Sequence, residues 1–485
     1  MDTVEHAPET SGGRQGGGHS LRRGALSLLD SSVMGVAGVA PAYSIAASTA
    51  VLIGAVSVGG PAALLYCGIA MFGIVWAFNY LGRSETNAGA SYAWVRRALH
   101  PVLGYIAGWA LVASALIFMV AGAYPAGSTL LGLFSNSAAN NVTAVTIVGS
   151  IVFLIMIAAV IAGVTITARI QVIMSSIELV ILVVFAVLML VHGHDVRNFS
   201  WSWFSPSVFH SSSVFFGGAL VAAFYYWGWD VTANLNEETK ESKVTPGLGG
   251  IIGVIVVFVL FEVFTIGTNM VLTNKIIANN AGDVLLVLGQ TVWHGLGGKL
   301  LVVAVVLSTV ATLETTIIQV TRTMFSMGRD GTLPRALGVT HATRKTPVTA
   351  TVVVAVISLG LFIASNYIGS IGTVLTDAIN AIGLQIAIYY SLAGFSVVIL
   401  YRKKIFTGAN YFFFAGLWPL VGAVFMAVMF EQTIPGLNAA TLIVGLGSMA
   451  LGLIPMIIYW VKGRPYFKMP TAEERDIDYE PALAD

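Results

Sequence analysis

Residues 224–238 read Phe-Tyr-Tyr-Trp-Gly-Trp-Asp-Val-Thr-Ala-Asn-Leu-Asn-Glu-Glu. Five rings, Phe224, Tyr225, Tyr226, Trp227 and Trp229, surround a helix-breaking Gly228 and a carboxylate, Asp230. Aromatic faces attract a cation by roughly 0.5–2 kcal/mol. A carboxylate inside an apolar segment is costly and marks a functional position. The chemistry this allows is non-covalent: holding an amine-bearing small molecule and taking up a proton. A second stretch, Pro41-Ala42-Tyr43-Ser44, offers the complement. Pro41 interrupts a helix, so the backbone N–H groups of Ala42, Tyr43 and Ser44 would begin a new one and present its positive end to a carboxylate. Carbonyls freed near Tyr226 and Trp227 would take the ammonium. The plainer alternatives are that Pro41 only kinks its helix, that the rings only pack, and that Asp230 caps nearby backbone.

Other polar side chains lie within apolar segments. Ser308, Thr312 and Thr316 recur at i, i+4 and i+8, one stripe along a helix face, serving either as ligands or as glue between helices. Glu178, Glu262, Glu314 and Asp377 are further buried-segment acids. Arg322, Arg329 and Asp330, with Glu237 and Glu238 as partners, suggest a charge network at one end of a span. No His-Glu-x-x-His helix, paired nucleophile and base, or phosphate-binding loop occurs, and the single Cys67 excludes a disulfide framework or a cysteine-held metal. Neither an enzyme nor a cofactor is expected.

The elements that position these groups are membrane helices. The chain has 485 residues, 56% hydrophobic and only 10% charged, with 52 glycines, a composition suited to closely packed transmembrane helices. Its net charge of +1 argues against a nucleic-acid partner. Twelve apolar segments match a hydrocarbon core of about 30 Å: 27–55, 61–82, 101–133, 143–163, 166–192, 214–236, 247–273, 297–326, 347–366, 370–400, 411–431 and 438–462. Counted over alternate loops, 21 of the 24 Lys and Arg fall on the side of both termini, leaving Arg197, Lys275 and Lys299 opposite. The positive-inside rule therefore predicts cytoplasmic N- and C-termini. Spans one and six are both interrupted and lie five apart, which predicts an inverted repeat of spans one to five and six to ten.

Three segments carry a resemblance to a known family. Gly82-Arg-Ser-Glu-Thr-Asn-Ala-Gly-Ala-Ser-Tyr92 with Gly104-Tyr-Ile-Ala-Gly-Trp109, the 224–238 stretch with Pro246, and Arg322-Thr-Met-Phe-Ser-Met-Gly-Arg-Asp-Gly-Thr-Leu-Pro334 with Thr346-Pro347 resemble the amino acid-polyamine-organocation superfamily of transporters. Thr86 and Ala90 depart from the first motif. Pro41, Ala42 and Tyr43 fall where the family has Gly-x-Gly, so a Tyr stands where a Gly leaves room for the substrate backbone. The resemblance implies an all-α, twelve-span, five-plus-five (LeuT-like) fold in which Phe224 gates the site. It places Thr312 beside a cation position and Thr316 beside the substrate. Glu178 falls where some proton-coupled relatives carry a lysine that resembles a substitute for sodium. A carboxylate there would bind a proton or a cation, or serve in a plain salt-bridge or capping role, and protonation of Asp230 could couple binding to closure.

The expectation is a secondary transporter working by alternating access in the cytoplasmic membrane. It would move amino acids, cationic or amine-bearing ones preferred, with a proton and with sodium left open. The alternatives are an amino acid or polyamine exchanger and, from another class, a membrane substrate sensor. The expected organisation is a disordered tail over 1–24, repeats over 25–200 and 201–408, two closing spans over 409–465 and a cytoplasmic tail over 466–485.

Overall fold

The computed structural model describes residues 20–192, 196–281, 283–367 and 371–475. All regular elements among them are helical, apart from one isolated bridge between Leu26 and Thr239. Span one is two helices, α1 (Leu28–Val39) and α2 (Pro41–Val56). Helix α3 is Gly60–Ser84, α4 the short Ser91–Ala98 and α5 Pro101–Gly132. Then come α6 (Val142–Ala162) and α7 (Val164–His192), separated by Gly163 at φ 140°. Span six is again two pieces, α8 (Ser212–Tyr225) and α9 (Val231–Asn234). The series continues with α10 (Thr245–Val271), α11 (Gly297–Arg329), α12 (Val348–Ser365) and α13 (Ile371–Leu400). Two more helical runs, Ala409–Gly436 and Ala439–Val461, close the order.

Among the described residues, ten runs are long and apolar enough to cross a membrane. Each of the twelve expected segments contains helix among the described residues, and the count differs at spans one, two and six. The first run, Leu28–Ser84, is 57 residues long and contains α1, α2 and α3, while Ser212–Tyr225 alone is too short to count. On α7, Ile173 and Val180 are about two-thirds exposed, as side chains facing hydrocarbon should be.

Local sequence explains the break in span one. Ser27 and Asp30 form a capping box at the start of α1, each side chain accepting from the other's backbone N–H. The helix ends at Ala40, a left-handed residue at φ 54°, and Pro41 is the first residue of α2, where its missing N–H costs nothing. The interruption thus falls one residue before the proline.

Helices α1 and α3 pack on α10, whereas α5, α6, α7, α11 and α12 pack on one another, and α13 lies against α3, α5 and α8. The two broken spans meet backbone to backbone. A Cβ added at Gly38 would strike the Gly228 carbonyl, and one at Gly228, where φ is 106°, would strike that of Gly38. Of the expected disordered tail over 1–24, residues 1–19 lie outside the described residues and 20–24 do not fit the expectation. Leu21 is buried with Ala88 and Phe325, an apolar anchor among the polar residues that suggested disorder. At the other end Tyr466 is buried and stacks on Tyr92 with centroids 4.5 Å apart. Residues 476–485 lie outside the described residues.

Candidate substrate and coupling site

A helix leaves its first N–H groups without intrahelical partners, and buried donors need acceptors. At the start of α2, Pro41 has no N–H. The Ala42 N–H donates to Glu178 Oε1 at 2.9 Å and that of Tyr43 to Ser308 Oγ at 3.1 Å. The Ser44 N–H is already bonded to the Ala40 carbonyl. Every donor at this helix start is satisfied, two of them by side chains from α7 and α11. Glu178 is fully buried, and its Oε2 has no hydrogen-bond partner. The acceptor at this helix N-terminus is therefore the protein's own carboxyl group.

The end of α1 is closed from α11 as well. Thr312 Oγ1 donates to the Gly38 carbonyl at 2.9 Å, and Ser44 Oγ donates to that of Val39 at 2.7 Å. Thr316 lies one turn further along α11 and is buried.

Where α8 ends, the Tyr226 N–H bonds back to the Ala222 carbonyl and that of Trp227 to Phe224, while the carbonyls of Tyr226 and Trp227 accept no backbone amide among the described residues. The side chains then diverge. Phe224 and Trp227 reach Phe118 of α5, at centroid distances of 6.3 and 5.5 Å, and Tyr43 meets the same ring edge-on at 5.7 Å. Trp227 Nε1 donates to the Tyr389 hydroxyl at 2.6 Å, which donates in turn to Asp230 Oδ2 at 2.9 Å. Asp230 Oδ1 has no partner.

The other three rings point elsewhere. Tyr225 shares a hydrogen bond with Thr49 and packs on Phe261. The Tyr226 hydroxyl donates to the Leu64 carbonyl, with its ring on Phe258 and Phe261. Trp229 packs between Phe78 and Tyr390. Tyr43, Phe224, Trp227, Asp230, Glu178 and Thr312 are thus drawn around the crossing of the two breaks, and Tyr225, Tyr226 and Trp229 face α2, α3, α10 and α13 instead. Phe118 and Tyr389 were missed. A lone Phe in an apolar helix and one Tyr of a pair carry no pattern until the partner helix is known.

The charged residues pair at one end of α11. Arg322 and Glu238 are both fully buried, with nitrogen–oxygen distances of 2.9 and 3.2 Å. Arg329 pairs with Glu237 at 3.0 Å, and Glu237 also accepts the Ala88 N–H. Beyond the helices, Asp330 lines a cleft of about 650 Å³ with Glu85, Arg96 and Arg464. Burial holds Asp330 and Glu85 above the usual carboxylate range, against the pull of Arg329 on Asp330 and of Arg97 on Glu85. Asp377 accepts from Asn438 and Thr441 at 2.8 Å each and ties α13 to the last helical run. No group of His, Cys, Asp and Glu suited to a metal ion occurs among the described residues.

The family model for amino acid permeases matches residues 26–461. No curated protein matches the chain. The protein belongs to the amino acid permease family of the amino acid-polyamine-organocation superfamily and is a multi-pass membrane transporter, not an enzyme.

Proposed function

We propose that this permease is a proton-coupled amino acid symporter in which the substrate's carboxylate and the side chain of Glu178 compete for one helix N-terminus. The reading takes spans one to five and six to ten as an inverted repeat, with both termini cytoplasmic, and α1–α3 and α8–α10 rocking against the remainder. It rests on one observation, the 2.9 Å hydrogen bond from the Ala42 N–H to Glu178 Oε1.

A helix start attracts anions through its dipole and its free N–H groups. With Glu178 ionised, that place is filled. An incoming amino acid carboxylate displaces Glu178, whose charge then lies in an apolar interior without its amide donor, and such a group neutralises. Glu178 takes a proton, so one proton accompanies each substrate. The substrate ammonium meets the carbonyls of Tyr226 and Trp227, within reach of Asp230, and Phe224, Phe118 and Tyr43 close over it. The buried acids favour cationic or amine-bearing amino acids. Thr312, bonded to the Gly38 carbonyl, holds the end of α1 in place, and Thr316 contacts the substrate.

The test is uptake into liposomes with and without an inward proton gradient, screening radiolabelled amino acids and polyamines. Gradient-stimulated uptake is expected, with the stimulation lost in Glu178→Gln and the substrate still exchanged. Uptake that depends only on a preloaded counter-substrate would make the protein an exchanger and sink this reading.

A further inference from the structure

Along α7, Thr167, Gln171, Ser175 and Glu178 recur at helical spacing on one face, each at most 1% exposed, while Arg169, Ile173 and Ile177 on the opposite side are exposed. That polar face lies against α11. Gln171 Nε2 bridges to Glu314 Oε2 at 2.5 Å and to the Ala311 carbonyl at 2.9 Å. Four polar atoms on this seam have no hydrogen-bond partner: Glu178 Oε2, Ser175 Oγ, Gln171 Oε1 and Glu314 Oε1. Buried polar atoms are normally paired, and each exception needs a reason. Four in a row along one interface have a common one if the seam carries a proton.

We propose that Glu314 is a second proton-binding site, which receives the proton from Glu178 and releases it toward the cytoplasm. The inference rests on the proton-coupled reading and on the inward orientation of the N-terminus. Residues 171 and 178 are seven apart, about 10 Å along a helix, too far for one transfer. Ser175 lies between them along the helix, but its Oγ is bonded to neither carboxyl in this structure, so a side-chain rotation or an entering water must join the three groups before a proton passes; a hydroxyl both donates and accepts. Glu178 in its acid form passes a proton to Ser175 Oγ as the Ser175 hydroxyl proton moves on to Glu314. This transfer follows opening of the inner side: as the substrate carboxylate leaves the Ala42 N–H, Glu178 returns to a carboxylate and rebinds that amide, and Glu314 becomes the acid. Its proton then leaves to cytoplasmic water. Gln171 is a positioning residue that holds the Glu314 carboxylate on the seam.

The charged groups on the helices packed against α11 are few. Helix α7 brings Glu178 and the outward-facing Arg169, α1 brings Asp30 within its capping box, and Asp230 precedes α9. Helices α2, α5, α6, α12 and Val284–Val292 carry no Asp, Glu, Lys, Arg or His, and the turn Arg335–Gly338, packed on the last residues of α11, brings the exposed Arg335. No cation faces Glu314 among the described residues, so nothing there fixes it as a permanent anion.

The experiment compares wild type, Glu314→Gln, Ser175→Ala and Glu178→Gln in liposomes by two assays: net uptake driven by an inward proton gradient, and counterflow at equal pH, which needs no net proton movement. Glu314→Gln is expected to slow net uptake at least tenfold and to leave counterflow within about twofold of wild type. Ser175→Ala should slow net uptake severalfold and change its solvent deuterium isotope effect. Wild-type net uptake in Glu314→Gln, or equal loss of both activities in Glu314→Gln and Ser175→Ala, would overturn the relay while leaving the role of Glu178 intact. Wild-type uptake that ignores the gradient would instead overturn the symport reading, and the relay with it.

Discussion

Arg322 and Glu238 hold a full positive and a full negative charge away from water, and this makes them interdependent. Taking either partner away leaves the other buried and unpaired, at a cost of about 3–5 kcal/mol. Glu238→Gln and Arg322→Gln should each lower the melting temperature in detergent by several degrees, and the double variant should recover a large part of the loss. Additive losses would mean that the two charges do not act as a pair. The sequence offered Glu237 and Glu238 as partners for this end of α11 because charge of both signs gathered there. It left open which acid met which arginine, since adjacent glutamates differ only in the direction their backbone gives them. Glu178 was legible in the same partial way. An acid in the middle of an apolar span announces itself, but the amide it caps lies 136 residues away in the chain. Residue types along one helix do not reveal such a contact.

Broken helices were legible as elements, and their junction was not. Gly228 and Pro41 each marked an interruption, yet the glycine that matters most in span one is Gly38, which looks like any small residue in a membrane helix. Its role appears only when the spans cross and its carbonyl occupies the space a Gly228 side chain would need. The aromatic run shows the same limit. Helical periodicity would assign faces to residues 224–229, but the helix ends at Tyr225. Past that point the phase is lost, so Trp227 turns toward Phe118 while Tyr226 and Trp229 turn away. Gly228→Ala should therefore be severe. A left-handed backbone at a residue with a Cβ costs roughly 1–2 kcal/mol, and the contact with the Gly38 carbonyl adds to that because backbone cannot give way as a side chain can. Substrate uptake should fall at least tenfold, and Gly38→Ala should reproduce the loss. Near-normal uptake in either variant would show that the two breaks separate during transport.

At the scale of the whole molecule, the proposed alternating access with both termini inward requires the seal at the Arg329 end of α11 to be strong enough to close and weak enough to open. The two ion pairs there are unequal. Arg322–Glu238 is fully buried, but Arg329 is about a third exposed and Glu237 about a fifth, and partly exposed pairs contribute on the order of 0–1 kcal/mol. The outer pair can be removed without endangering the fold and should bias the population toward an inward-open form. Cys67 is the chain's single cysteine and is buried, so a new thiol can be read against a quiet background. Thr316→Cys places one on α11, one turn from Thr312, at a site 3% exposed. A membrane-impermeant thiol reagent added from the cytoplasmic side should label it slowly. Adding Glu237→Gln should speed labelling severalfold, in proportion to the inward-open fraction, because labelling of a transiently opened site tracks its equilibrium population. Transported amino acid should slow the reaction again by occupying the space. Labelling that is unchanged by Glu237→Gln would remove the Arg329–Glu237 pair from the gate. Labelling that is unaffected by any transported amino acid would take Thr316 out of the substrate path.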